Sequence, residues 1–84
     1  MSTALVTVRL FAAARAAVGQ SEVDVEPGSL ATIIEHLSDT HARFSAVAPR
    51  CSYLVNHLAV HEDLDHIAVH GGDIVDVLPP FAGG

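Results

Sequence analysis

The sequence predicts an α+β domain, a mixed sheet of about five strands with one main helix packed on one face. Three stretches carry that prediction. Residues 5–11 (Leu-Val-Thr-Val-Arg-Leu-Phe) and residues 74–78 (Ile-Val-Asp-Val-Leu) are rich in β-branched side chains and repeat every two residues, the mark of strands with one buried face. Between them Leu30, Ile33, Ile34 and Leu37 recur at i, i+3, i+4 and i+7, a single apolar stripe along a helix.

In the first strand Val6, Val8 and Leu10 share one face and Leu5, Thr7, Arg9 and Phe11 the other, and the stretch reads as a central strand. Residues 12–18 are alanine-rich and predict a helix of one to two turns that stops at Gly19, where a left-handed residue commonly follows a helix. Val23 and Val25 alternate with Glu22, Asp24 and Glu26 as a second strand. Pro27-Gly28 turns the chain, and Ser29 is placed to cap the main helix, which runs to about His41.

Residues 42–52 show neither period and contain Pro49, so they predict a long connection pinned to the core by Phe44 and Val47. Residues 53–56 and 58–60 are two short strands joined by a tight turn at Asn56-His57. Residues 62–65 form a solvated acidic loop, and His70-Gly71-Gly72-Asp73 turns into the last strand, where Val75 and Val77 face one way. The sheet face away from the helix stays open. Leu5, Phe11 and residues of the last strand make it a modest apolar patch suited to a partner.

A chain of 84 residues holds one small core and no deep, enclosed active site. Its net charge of -6, from 10 acidic residues against 4 arginines, argues against a nucleic-acid partner and for a positively charged protein. No run approaches a membrane span, no secretory segment follows Met1, and Cys51 has no disulfide mate, so the expected compartment is the cytoplasm. The chain also lacks lysine. In a reaction joining a carboxyl terminus to a lysine amine it can act as donor, and only its α-amino group can receive.

Internal catalytic constellations are weak. His57, His61, His66 and His70 are spaced by four and five residues, but the two-histidine arrangement of a zinc protease helix is absent, and no metal site is expected. Arg50 beside Cys51 is a feature that can lower a thiol pKa, yet a lone cysteine is more often a small packed apolar side chain. Glu62, Asp63 and Asp65 are loop carboxylates without an enclosing pocket. There is no phosphate-binding loop and no nucleophile elbow.

What remains is the end of the chain, Pro79-Pro80-Phe81-Ala82-Gly83-Gly84, read as a flexible tail (79–84) on a folded handle (1–78). Two prolines hold their segment extended and cannot rejoin the sheet, so the tail is expected to project into solvent. Gly83 and Gly84 have no β-carbon, and they leave the carboxylate of Gly84 unshielded. With glycine at about 7% of residues, two in the last two positions arise by chance in roughly 0.5% of chains. The Gly84 carboxylate is the candidate reactive group.

Taken together, Arg9-Leu10-Phe11 with Arg15 and Gly19, Val55-Asn56, Gly72-Asp73, Pro79-Pro80 and Gly83-Gly84 resemble the small subunit of molybdopterin synthase, of the MoaD/ThiS-type ubiquitin-like sulfur carriers. The resemblance spans nearly the whole chain and implies a β-grasp fold. It implies that Gly84 is adenylated by a ubiquitin-activating-type enzyme at the expense of ATP, then converted to a thiocarboxylate with sulfur from a sulfurtransferase. The tail would then enter the large subunit of molybdopterin synthase and deliver sulfur to the cyclic pterin precursor, with no cofactor bound stably by the chain itself. Pro79, Pro80, Phe81, Ala82 and Gly83 would fill the partner's channel, and Phe11 and Arg15 would lie on the partner surface. Ala16 and Leu78 depart from the acidic and aromatic residues common in that family. The alternatives are a carrier for thiamin thiazole or cysteine biosynthesis, a ubiquitin-like modifier linked through Gly84, and an interaction domain whose Gly-Gly is accidental.

Overall fold

The computed structural model describes residues 4–80. The alternation at the start becomes β1 (Val6–Leu10), followed by helix α1 (Ala12–Val18), β2 (Glu22–Val25), the two-residue β3 (Gly28–Ser29) and the main helix α2 (Leu30–Thr40). Then come a third helix α3 (Ala42–Val47), β4 (Ser52–Val55), β5 (Leu58–Ala59), β6 (Ala68–Val69) and β7 (Ile74–Leu78). Five strands form one mixed sheet in the order β2-β1-β7-β4-β5, and β3 pairs with β6 in a separate ribbon.

β1 is an interior strand as expected, between β2 and β7, and β7 takes the middle of the sheet. It runs parallel to β1, with Val8 beside Val75 and Leu10 beside Val77, and antiparallel to β4, with Tyr53 beside Val77. The two-residue period then decides the rest. Val6, Val8, Leu10, Val75 and Val77 all turn to the helical side and are buried, while Thr7, Arg9, Ile74, Asp76 and Leu78 lie on the other face.

Helix α2 supplies the opposing half of the core through Leu30, Ile33, Ile34 and Leu37, the stripe read from the sequence. The Ser29 hydroxyl accepts a hydrogen bond from the Thr32 amide at 3.1 Å and satisfies one of the open donors of the first turn. α1 ends as expected at Gly19, which has φ of 84° and donates its N–H to the Arg15 carbonyl.

The connection expected at residues 42–52 is instead mostly helical: α3 is followed by a 3-10 turn over Ala48–Arg50. Six residues are too few to display a helical period, and Pro49 sits in the first turn of the 3-10 segment, where its missing N–H costs no hydrogen bond. Phe44 is fully buried, so its expected pinning role holds. The Pro27-Gly28 turn likewise merges into β3, and part of the acidic loop forms a second 3-10 turn at Leu64–His66.

Two turns bind the ends of the sheet. Asn56 and His57 both adopt positive φ, 50° and 70°, as a tight two-residue hairpin between β4 and β5 demands. The Asn56 side chain then bridges to the start of β7, donating to the Asp73 carboxylate at 3.1 Å and accepting from the Ile74 amide at 2.9 Å. Asp73 also accepts from the His70 amide at 2.8 Å. Gly71 lies so close to the Ala4 carbonyl that no β-carbon fits there, and the next amide, Gly72, donates to Leu5.

These donors, His70 N–H first and Asn56 second, hold the Asp73 carboxyl below its ordinary value of 3.8. A depressed folded-state pKa contributes stability above the unfolded value, and that contribution disappears as pH falls through the folded pKa. Thermal unfolding should therefore lose part of its stability as pH drops below about 4. Asp73→Asn should flatten that portion of the profile; an unchanged acid limb would show that Asp73 does not report on folding.

Candidate functional site

β7 brings the candidate tail out of the centre of the sheet, so its exit point is set by the buried Val75 and Val77. Pro79 is buried and Pro80 exposed. The two share a pocket of about 180 Å³ with Ala13, Ala46, Val47 and Arg50, on the side of α1 and α3. The expectation that the chain enters solvent directly after Leu78 is thus corrected. Proline has an apolar ring and no N–H to leave unsatisfied, and the alanines facing it are small, so it packs where another residue would strand a donor. Phe81, Ala82, Gly83 and Gly84 lie outside the described residues.

Phe11 and Arg15 fall one helical turn apart at the junction of β1 with α1. Phe11 is half-exposed, and its carbonyl accepts from the Ala14 amide at 3.0 Å and the Arg15 amide at 3.4 Å. Arg15 itself is exposed. The chain changes direction here through Ala12, which has φ of 50°, a left-handed conformation that costs an L-residue roughly 1–2 kcal/mol. Ala12→Gly should leave stability unchanged or raise it by up to about 1 kcal/mol, whereas Ala13→Gly in the regular part of α1 should cost about 1 kcal/mol. Chemical denaturation of the two variants checks the contrast, and equal losses would contradict it.

The open face holds a feature that sequence reading missed. Arg9 and Asp76, side by side on β1 and β7, form a bidentate pair with Nε to Oδ1 at 2.5 Å and Nη2 to Oδ2 at 2.9 Å. The Asp76 side chain is 5% exposed and that of Arg9 37%. His57 Nδ1 approaches Asp76 at 3.8 Å from the β4–β5 turn, and the Arg9 guanidinium sits 6.0 Å from the centre of the Phe11 ring. Hydrogen bonding to Asp76, opposed by partial burial and helped by its charge, raises the Arg9 pKa above its ordinary value. The available signal was one charge of each sign, each placed between two valine or leucine neighbours in a strand.

Removing one member of such a pair leaves the other buried without a partner. Arg9→Ala should therefore lower the melting temperature more than Glu22→Ala on the neighbouring strand. The double change Arg9→Leu with Asp76→Leu should recover most of the loss. Calorimetry decides between this and a melting temperature that Arg9→Ala does not move.

Cys51 is half-buried, and its thiol donates to the Val47 carbonyl at 3.4 Å. Burial pushes the thiol pKa up, so Arg50 does not activate it and the packed reading holds. Burial also pushes the Tyr53 phenol well up, and its O–H donates to the Ala48 carbonyl at 3.0 Å. Among the described residues no group of three or more His, Cys, Asp or Glu is placed to hold a metal ion, and no helix is long and apolar enough to cross a membrane.

Among the described residues the site offers no nucleophile paired with a base; it has an exit point and a packed proline beside the exposed Phe11 and Arg15. The model of the ThiS family matches residues 8–84, from within β1 to the last glycine. The chain belongs to the ThiS family. No curated protein sequence matches it. Among solved structures, the HVO 2177 protein of Haloferax volcanii is 28% identical, with 98% of this chain and 88% of that one aligned and a TM-score of 0.80. The small archaeal modifier protein 1 of Methanosarcina acetivorans is 21% identical over the whole of both chains, with a TM-score of 0.80. A complex of subunits 1 and 2 of the molybdopterin-converting factor from Helicobacter pylori matches at 19% identity, 95% of this chain, 99% of that one and a TM-score of 0.70. This ThiS-family domain has the ubiquitin-like β-grasp fold of those neighbours, with its main helix across one face of the mixed sheet.

Proposed function

We propose that this chain is a sulfur carrier serving as the small subunit of a molybdopterin synthase. The observation that carries the reading is the family match running through residue 84, so that it includes Gly83-Gly84. The described structure supports it by fastening the last strand in the middle of the sheet and bracing Pro79, which leaves only the final residues to act as a narrow arm. The molybdopterin assignment rests on the likeness to a chain of the Helicobacter pylori complex and on the motif resemblance.

A free carboxylate is a poor electrophile, so an ATP-using adenylating enzyme acts first. The Gly84 carboxylate attacks the α-phosphorus and releases pyrophosphate. The outer sulfur of a sulfurtransferase persulfide then displaces AMP at the acyl carbon to give an acyl disulfide, and a second thiol attacking the donor's sulfur releases the Gly84 thiocarboxylate and leaves a disulfide behind. In the large subunit that terminal sulfur bonds to a carbon of the cyclic pterin precursor as a carbon–oxygen bond there breaks, and water then cleaves the acyl–sulfur bond, leaving the sulfur on the pterin and returning the Gly84 carboxylate. Pro79 and Pro80 reduce the entropy lost when the tail inserts, and Gly83 and Gly84 pass where side chains would not. Phe11 and Arg15, next to the exit, would contact the partner.

Intact-mass measurement of the protein from its native host should show a fraction with one terminal oxygen replaced by sulfur, and deletion of Gly84 should abolish it. Only free carboxylate, in cells actively making the cofactor, would sink the proposal. The likeness to a small archaeal modifier favours a second reading, attachment to other proteins through Gly84. A lysine-free chain suits that role because it cannot build lysine-linked chains of itself. Peptides carrying a remnant of the tail on lysine, found in a digest of host proteins, would establish it. Strains lacking each sulfur pathway, complemented with this chain, separate the molybdopterin role from thiamin or cysteine carriers.

A further inference from the structure

The outer edge of β2 is a surface separate from the tail and from the Arg9–Asp76 face. β2 is the outer strand of the sheet, with β1 on one side and, among the described residues, no strand on the other. Leu10 donates its N–H to the carbonyl of Ser21, the residue directly opposite it in the β1–β2 register, which makes that a hydrogen-bonded pair. Such pairs alternate along an antiparallel ladder. Val23 and Val25, opposite Val8 and Val6, therefore spend their backbone groups on β1, while the N–H and C=O of Glu22 and Asp24 point to the free edge.

That edge overlooks a groove between β2 and α2. Two adjoining hollows of about 150 and 490 Å³ share Val25 and His36 and run the length of the strand. Val23, Ile33 and Leu37 give the groove its apolar floor. On the opposite face of β2 the exposed carboxylates of Glu22 and Asp24 project, with Glu26 just beyond. Arg9 lies near Glu22 but is committed to Asp76, and Asp24 accepts from the Thr7 hydroxyl at 3.4 Å. Among the described residues no cation of this chain pairs with Asp24.

An unpaired edge of this kind is a template for one more strand, and the side chains flanking it decide which. A second copy of β2 would oppose carboxylate to carboxylate, which disfavours self-pairing. An incoming strand would place alternate side chains in the apolar groove and beside the carboxylates. We propose that β2 docks an extended segment of a partner protein in which apolar residues alternate with lysine or arginine. The β5 edge, two residues long, offers no comparable register.

The test uses the full chain labelled with nitrogen-15 and an acetylated, amidated hexapeptide alternating lysine with valine. A control peptide has the same composition with its lysines and valines in separate blocks. The alternating peptide should shift the amide resonances of Glu22 and Asp24 and slow their hydrogen exchange, with no new protection at Val23 and Val25. It should bind at least about tenfold more tightly than the block peptide. Asp24→Pro, which removes an edge N–H that β1 does not use, should abolish binding while the circular dichroism spectrum is retained. Should that variant misfold, Asp24→Lys should weaken the lysine peptide about tenfold and favour a glutamate-valine counterpart. Equal affinity for alternating and block peptides, shifts centred on Arg9 and Asp76 or on Leu58, or edge protection from dimerisation without peptide would each overturn the assignment. None of these readouts involves Gly84, so they stand apart from the fate of the sulfur-carrier proposal.

Discussion

The parallel pairing of the first strand with the last is the constraint on which the molecule depends. β1 and β7 come from opposite ends of the chain, and the Arg9–Asp76 pair joins residues 67 apart in sequence. Once these strands lie side by side, Val6, Val8, Leu10, Val75 and Val77 form one apolar sheet surface that α2 can cover. The same pairing fixes where the chain leaves the fold. An arm attached to an edge strand would swing with every local opening, whereas one attached to the middle strand inherits the stability of the core.

Two faces of that sheet divide the work through a period of two. Residues turned toward α2 are aliphatic and buried, and those turned away carry Arg9, Asp76, Thr7, Ile74 and Leu78. A half-buried ion pair is a poor source of stability but a strong source of specificity, because any slip of register by one residue would bury both charges in the core. Its position beneath Phe11 couples that register to the proposed partner surface. The acidic β2 edge adds a further direction of approach, so a chain with one small core can present several surfaces at once.

Strongly periodic elements were legible in the sequence. The α2 stripe, the Ser29 cap, the Gly19 stop, the inward faces of β1 and β7 and the Asn56-His57 hairpin all matched, because each rests on local spacing or on a residue suited to one backbone conformation. Short elements were not legible. α3 spans six residues with Phe44 and Val47 as its only large apolar positions, too few to distinguish a helix from a pinned loop. The two-residue strands β3 and β6 exist because Gly28 is brought beside Val69 and Ser29 beside Ala68 by the fold, not through any propensity of their own. Of the candidate site, Phe11 and Arg15 are exposed, while Pro79 is packed rather than free.

The sequence by itself determined the terminal Gly-Gly, the prolines before it, the acidic and lysine-free composition, and the alternation that separates core from surface. These are covalent or local properties, and no tertiary contact is needed to read them. Only the tertiary structure decided that β7 takes the middle of the sheet, that Arg9 meets Asp76, that Pro79 lies against α1 and α3, and that no strand among the described residues lies beside the outward backbone groups of Glu22 and Asp24. Strand order and exposure of an edge follow from which distant segments pair, and a two-residue period is the same whichever neighbour a strand acquires.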